Sequence, residues 1–480
     1  MGGTATSPAT TRHAPGAETH AVPDEERKPT MMIGTRPDAE RAEQPTGAAR
    51  RWLSARIGPP GSGPRRAAIT MIDQCFSSAS NFVVGIVVAR VAGPAGLGAY
   101  SVAYAAWLVL AAVHRAVVTD PMSINNDVRR PNSNERLQAG MAAEVSLGVV
   151  IALVFAAVSV PVILLGQRNV GIALLTLAPF LPFLLVQDYW RWSGFMQARP
   201  GRSLANDTLF NCVQATLLVG LILAGLRSPS VAIVAWGAGA VAGSAYGLRQ
   251  FSVRVQTRGG YSIVASRWHM SKWLLASSVS GWASSQAYPL FAGPFVGSVG
   301  LGGLKAAQSL VSGPTLVLGQ AAGSIGLPEA SHGLEHGGWV KLQQVARWMT
   351  LWSALTVGVV ATVVFLVGGK LLGWMYGSEF VRYASTARII SLAWLIAAFS
   401  GGPMLILKVT RNSRALFNIG LVTQVTLVTL IIALSSTVGV NGTAWAMVVT
   451  AAVGVTLQRR ARRVVAREYA TGVRPREQYR

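Results

Sequence analysis

The sequence predicts an all-α polytopic membrane protein of about twelve transmembrane helices, arranged as two parallel-repeat lobes of six. Three observations predict it. The chain is 51% hydrophobic and only 13% charged, against about a quarter charged in soluble domains. Apolar runs of about 20 residues, long enough to cross the hydrocarbon core of a bilayer, recur along most of its length. The third is an internal repeat: a shift of 204 residues lays "GPAGLGAYS" (93–101) on "GSVGLGGLK" (297–305).

Residues 1–66 precede the first apolar run. They are rich in Pro, Gly, Ala and Thr, carry ten Lys/Arg and seven Asp/Glu, and predict a disordered extension. Within it, "RRWLSARI" (51–58) reads as a basic juxtamembrane anchor that Pro59 and Pro60 terminate. The first 30 residues hold no apolar core of a cleavable signal peptide, so insertion is expected to begin with the first spanning helix. The spans are predicted near 67–89, 99–119, 139–161, 169–187, 207–226, 230–248, 273–293, 299–320, 346–368, 388–407, 415–435 and 439–457.

Loop charge gives an orientation. The loops after even-numbered spans hold sixteen Lys/Arg, among them Arg129, Arg191, Arg199, Arg267, Lys341 and Arg411, against six in the odd loops. The positive-inside rule then places both termini in the cytoplasm. A tail over 459–480, with eight arginines and two glutamates, is expected to lie on anionic lipid headgroups. The net charge of +23 sits in short loops and tails beside spans, a pattern of orientation and lipid contact that argues against a nucleic-acid partner.

The repeat divides the chain at a basic connector, 249–272, into lobes over 67–248 and 273–458. Gly93, Gly96, Leu97 and Gly98 fall on Gly297, Gly300, Leu301 and Gly302. Upstream, "DQCFSSASN" (73–81) falls on the equally polar "SSVSGWASS" (277–285). Six helices per half preserve orientation, so the halves are parallel repeats, an arrangement in which secondary transporters bind substrate between lobes.

Candidate chemistry follows from polar residues inside the spans. A cation at mid-helix costs about 2.5–3.5 kcal/mol on insertion scales and normally faces a cavity or a partner. "AAWLVLAAVHRAVVTDPM" (105–122) carries His114 and Arg115 inside an apolar run. Arg115 stands about 7 Å along the axis from Asp120, near enough to snorkel; against this, Tyr104, Ala111 and Arg115 share one helical face. Lys305 opens a second stripe with Gln308, Ser309 and Ser312, against the plain reading of an outward-snorkelling lysine. Further stripes are Ser278, Trp282, Ser285 and Gln286 in the seventh span and Gln74, Ser77, Ser78 and Asn81 in the first. Their concentration in equivalent helices of the two halves points to a shared cavity. Asp73, Asp120, Asp188 and Asp207 lie near span ends, where pairing with arginines is the simple reading. Asp73 and Glu144 are the candidates for ion coupling. Cys75 and Cys212 sit in apolar runs and read as buried free thiols. "HGLEH" (332–336) matches a zinc-peptidase pattern but sits in a glycine-rich loop without a third ligand. No Walker A loop or nucleophile elbow occurs, and neither a metal nor a cofactor is expected.

"DQCFSSASNFVVGIVVARVAGPAGLGAYSVAYAAWLVL" (73–110) resembles the first two helices of bacterial polysaccharide transporters, the O-antigen and teichoic-acid exporter family. That family belongs to the multidrug/oligosaccharidyl-lipid/polysaccharide (MOP) exporter superfamily with lipid II flippases and multidrug (MATE) antiporters. "QDYWRWSGFMQARPGRSLANDTLFN" (187–211) is similar to the family's loop between helices 4 and 5. The resemblance spans roughly 67–457 and implies a V-shaped pair of lobes, alternating access and a polyprenyl-diphosphate-linked glycan as substrate in a bacterial inner membrane. It also implies a non-enzymatic, monomeric protein that works beside glycan-assembly enzymes. On that resemblance Arg115 and Lys305 are the expected phosphate ligands, with Arg90 as an outer gate; the polar residues read from the spans themselves, His114, Gln308, Gln286 and Asn81, are the further candidates for the substrate site. The chain departs from the family in carrying few charges deep in its helices.

Two rivals remain at this level. A cation-coupled drug antiporter on the same fold would need mid-helix carboxylates. A membrane-embedded polysaccharide-synthesis enzyme would need a large outer loop or paired carboxylates, and the longest outer loop, 369–387, holds one acidic residue, Glu379.

Overall fold

The computed structural model describes residues 63–125, 132–253, 260–286 and 288–471. Among them the chain is helical throughout, with no strand. The helices are α1 (63–92), α2 (94–124), α3 (Ser133–Leu164), α4 (Arg168–Met196), α5 (Pro200–Leu223) and α6 (Pro229–Phe251). A short helix, Gly260–Ala265, lies in the connector. Then follow α7 (268–296), α8 (298–337), α9 (339–376), α10 (Ser378–Val409), α11 (Ser413–Val438) and α12 (Val440–Ala470). Ten helical stretches among the described residues are long and apolar enough to cross a membrane. Kinks at Gly93, Gly297 and Gly338 divide the longest runs, and with the more polar α7 this gives the twelve segments expected.

The two halves reverse direction at matching glycines. Gly93 has φ 64° and ψ −169°, and Gly297 has φ 66° and ψ 178°. Positive φ is cheap only for glycine, so the turn that reverses the chain leaves a mark in the sequence. The packing around these turns is reciprocal. A Cβ on Gly98 would fall on the carbonyl oxygen of Ser298, and a Cβ on Gly302 on that of Pro94. Residues 94 and 298, like 98 and 302, are separated by the repeat offset. The backbones of α2 and α8 therefore touch across a pseudo-twofold axis, as small residues permit in membrane helix pairs.

The apolar cores show how the lobes join. One cluster crosses both halves, running from Leu97, Tyr100 and Trp236 to Leu301, Leu304, Tyr376 and Phe380. Two others belong to single lobes. The first gathers Met122, Met141, Tyr189, Trp190 and Phe251, and the second Ala330, Leu342, Ile406 and Val465. Trp339 at the start of α9 stacks on Tyr469 near the end of α12, centroids 4.7 Å apart, so the second cluster lies at the end of the bundle bearing the C-terminus. The lobes share a core at the Gly93/Gly297 end and have separate cores at the other. Apolar side chains such as Val150, Leu153 and Val154 on α3 and Phe365 and Leu366 on α9 face outward, where lipid is the compatible solvent.

Several boundaries differ from expectation. The helix begins at Gly63 rather than 67, while residues 1–62, with "RRWLSARI", lie outside the described residues. The α4 helix continues to Met196, beyond its expected end at 187, because the polar residues of "QDYWRW" find partners inside the bundle. The tail expected from 459 is helical to Ala470, held by buried Val465 and by Tyr469; residues 472–480 lie outside the described residues. "HGLEH" lies on α8, not in a loop, with the His332 and His336 rings 4.3 Å apart. Cys75 and Cys212 are free, as expected, but exposed rather than buried, on outward faces of their helices.

Candidate functional site

Between the lobes lies a cavity of about 1380 Å³. It reaches from Leu97 and Tyr100, beside the shared core, to Arg66, Ala198 and Pro200 near the opposite ends of α1, α4 and α5. The cavity is thus sealed at the glycine turns and opens toward the end where the lobes have separate cores.

The N-lobe wall is built on ion pairs. Arg115 donates from Nε and Nη2 to the two carboxylate oxygens of Asp188, both at 2.8 Å. This bidentate fork is the strong geometry for a guanidinium. Asp188 Oδ2 also lies 2.9 Å from His114 Nε2, and His114 Nδ1 lies 3.0 Å from Glu144 Oε1. One turn nearer the mouth on α4, Arg191 Nη2 donates to Asp73 Oδ2 at 2.7 Å, and its Nε lies 2.9 Å from Asp207 Oδ2. Ser77 and the Gln187 amide donate to Asp207 at 3.1 and 2.9 Å.

Local geometry places Arg115. Pro121 has no N–H to give the carbonyl of Val117, and the preceding turn, Arg115–Thr119, is wound as a π-helix. Ser271 of α7 approaches the Val117 oxygen at 3.4 Å. Such wide turns are frequent where a helix must re-aim a side chain at a functional site. Here the guanidinium stacks over Trp192, 5.0 Å from the ring centroid.

The C-lobe wall is different in kind. Lys305, Gln308, Ser309 and Ser312 line the cavity from one face of α8, as the stripe predicted. Lys305 has no carboxylate partner among the described residues, and its ammonium stands 5.6 Å from the ring centroid of Tyr104 on the facing lobe. Cation–π contact is a weak substitute for an ion pair. Tyr104 belongs to an aromatic group with Tyr100, Trp107 and Trp236, its centroid 5.9 Å from that of Trp236.

The other predicted residues divide clearly. Asn81, Gln308, Arg115 and Lys305 line the cavity. His114 and Glu144 are fully buried and stand behind the wall rather than on it. Asp73 is likewise buried beneath Arg191. The side chain of Gln286 lies outside the described residues. Arg90 is remote from the cavity: at the sealed end it donates from Nε to the carbonyl of Met375 at 2.8 Å and from Nη2 to that of Trp374. It thereby joins α1 to the C-terminus of α9, across the lobes. Sequence reasoning missed Arg191, which it counted as a loop cation. The signal was present in "QDYWR", where Gln187, Asp188 and Arg191 fall on one helical face.

Three solved structures share this architecture. An inward-facing multidrug resistance MATE family transporter of the MOP superfamily aligns with TM-score 0.66 at 13% identity, over 81% of this chain and 95% of that one. An inward-closed lipid II flippase MurJ aligns with TM-score 0.62 at 11% identity, over 81% and 86%. A MOP superfamily transporter from Pyrococcus furiosus, described as having a binding pocket of reversed polarity, aligns with TM-score 0.56 at 13% identity, over 89% and 100%. At these identities the likeness establishes the fold. No family model matches the chain, and no curated protein matches it in sequence.

Proposed function

We propose that this chain, built on the architecture of MOP-superfamily transporters, moves a lipid-linked oligosaccharide phosphate across a membrane by alternating access. The observation that carries the reading is the charge left free in the cavity. Each cavity-facing carboxylate is already engaged, Asp188 by Arg115 and His114, and Asp207 by Arg191, Ser77 and Gln187. Lys305 is not. The interior therefore offers a substrate an uncommitted cation and hydroxyl- or amide-bearing walls, which suit phosphate and sugar. The volume of about 1380 Å³ also exceeds the roughly 300–1,000 Å³ of drug-sized sites. A prenyl tail can stay in lipid while only the headgroup crosses. By the positive-inside rule the open end faces the cytoplasm, where a lipid-linked glycan would enter and where glycan-assembly enzymes would deliver it.

Arg115 takes a changed role in this account. Its fork is filled by Asp188, so it shapes the wall and is not a free phosphate ligand. Ion coupling is assigned to the network behind it. Four carboxylates, Asp73, Glu144, Asp188 and Asp207, meet two arginines and one imidazole. Even with His114 protonated, the cluster carries one negative charge more than its partners neutralise, which supports uptake of a proton. The same carboxylates favour the second reading, a cation-coupled drug antiporter. Expression in an efflux-deficient host separates the two, since a glycan-lipid flippase confers no drug resistance.

Reconstituted into liposomes with a fluorescent polyprenyl-diphosphate oligosaccharide, Lys305→Gln is expected to flip at least about tenfold more slowly, the worth of one charge-assisted hydrogen bond. Lys305→Arg should retain most of the rate. Flipping by Lys305→Gln at the wild-type rate would remove the assignment.

A further inference from the structure

The C-lobe wall holds buried phenols beside Lys305. Tyr288 of α7 and Tyr376 of α9 both line the cavity. Each is only 2% exposed; among the described residues the Tyr288 hydroxyl has no hydrogen-bond partner, and the Tyr376 hydroxyl has only the side chain of Ser309, itself on the cavity wall, beside it. A buried hydroxyl without a partner costs free energy, and the unpartnered Tyr288 hydroxyl, on the same cavity as Tyr376, needs a physical reason.

Their placement supplies one. Gly297 reverses the chain, so Tyr288, nine residues before it, and Lys305, eight after, lie at similar depth on antiparallel helices, about 12–14 Å from the turn at the helical rise. Tyr376 reaches the same face of α8, beside Ser309, one turn beyond Lys305. An ammonium and two phenolic O–H groups thus come from three consecutive helices of one lobe. All three can donate. The facing N-lobe wall differs, because the charges of Arg115 and Arg191 are already paired with carboxylates.

We infer that Lys305, Tyr288 and Tyr376 form an oxyanion cradle, in which the ammonium and both phenolic hydroxyls donate to the phosphoryl oxygens of the transported headgroup. The inference rests on the phosphate reading above and assigns the headgroup to the C lobe. A charged acceptor arriving between these groups satisfies all of them at once, and the low-dielectric wall strengthens each bond. A neutral headgroup would leave the ammonium without a counter-charge, so the cradle selects for an anion. The N lobe remains free to exchange its coupling ion. Substrate and ion would then occupy different lobes and communicate through the Lys305–Tyr104 contact that joins them.

The test is equilibrium binding to the full chain in nanodiscs, with farnesyl diphosphate, inorganic pyrophosphate and farnesol as probes. Tyr288→Phe and Tyr376→Phe each remove one hydroxyl and keep the ring that packs the core. Each is expected to weaken farnesyl diphosphate binding about tenfold while leaving farnesol binding unchanged. If both variants bind as wild type while Lys305→Gln loses affinity, the cradle is wrong and the phosphate reading of Lys305 stands. If Lys305→Gln also binds as wild type, both fail. Equal affinity for inorganic pyrophosphate, lost in the Phe variants, supports the cradle and overturns a lipid-linked source for its ligand.

Discussion

Asp188→Asn is expected to be the most damaging single substitution in the N lobe. It removes the one carboxylate that serves both Arg115, through a bidentate fork, and His114. The side chain of Asp188 is 6% exposed and that of His114 wholly buried, although Arg115 keeps 32% of its own. Breaking such a pair from one side costs about 3 kcal/mol or more, because the remaining charge stays buried without a partner. Arg115→Gln should cost less, since His114 still holds Asp188. Thermal unfolding in detergent, followed by size-exclusion chromatography, reads the difference. Equal midpoints for wild type, Asp188→Asn and Arg115→Gln would show that the network contributes nothing to stability.

Gly98→Ala and Gly302→Ala come next, and their effect is on motion as well as on folding. The added methyl of either meets a carbonyl oxygen of the other lobe, from Ser298 or Pro94. Backbone cannot rotate away as a side chain can, so the lobes must part at the sealed end. Transport is expected to fall to background in both variants, to the same degree, because the two contacts are related by the pseudo-twofold axis. Arg90 would lose its hold on the end of α9, and impermeant reagents should reach this seam. Gly220→Ala, which has open space around it, is the control and should behave as wild type. Normal transport by Gly98→Ala would mean the seam does not need this close approach.

What could be read before the fold was known follows from which forces act locally. Spanning segments are local: an apolar run of sufficient length is enough, and each expected span finds its helix. The repeat was legible at Gly93 and Gly297 because a positive φ restricts the residue that can stand there. The ends of helices were harder. The α4 helix outruns its apolar core because Asp188 and Arg191 are satisfied by α1, α2 and α5, which no window along α4 can reveal. Partner choice is tertiary in the same way. Arg115 was visible as an intramembrane cation, but its neutralisation by a residue 73 positions away was not. His114 fell on the expected helix, yet the π-turn that follows it and the burial of Glu144 turn it away from the cavity. The stripe opened by Lys305 was the better guide, since neighbours on one helical face are fixed by the helix itself.

The central claim is that a water-filled vestibule between the lobes opens to one side of the membrane at a time. Single cysteines at Ser312, on the C-lobe wall, and at Val363, on an outward face of α9, can be introduced after Cys75 and Cys212 are replaced by serine. A membrane-impermeant maleimide is then applied to sealed vesicles of each orientation. The account predicts that Ser312→Cys reacts from the side carrying the chain termini in the conformation described, reacts from the opposite side when the seam is forced open by Gly98→Ala, and that Val363→Cys reacts from neither. Ser312→Cys that stays unreactive from both sides under both conditions would contradict it.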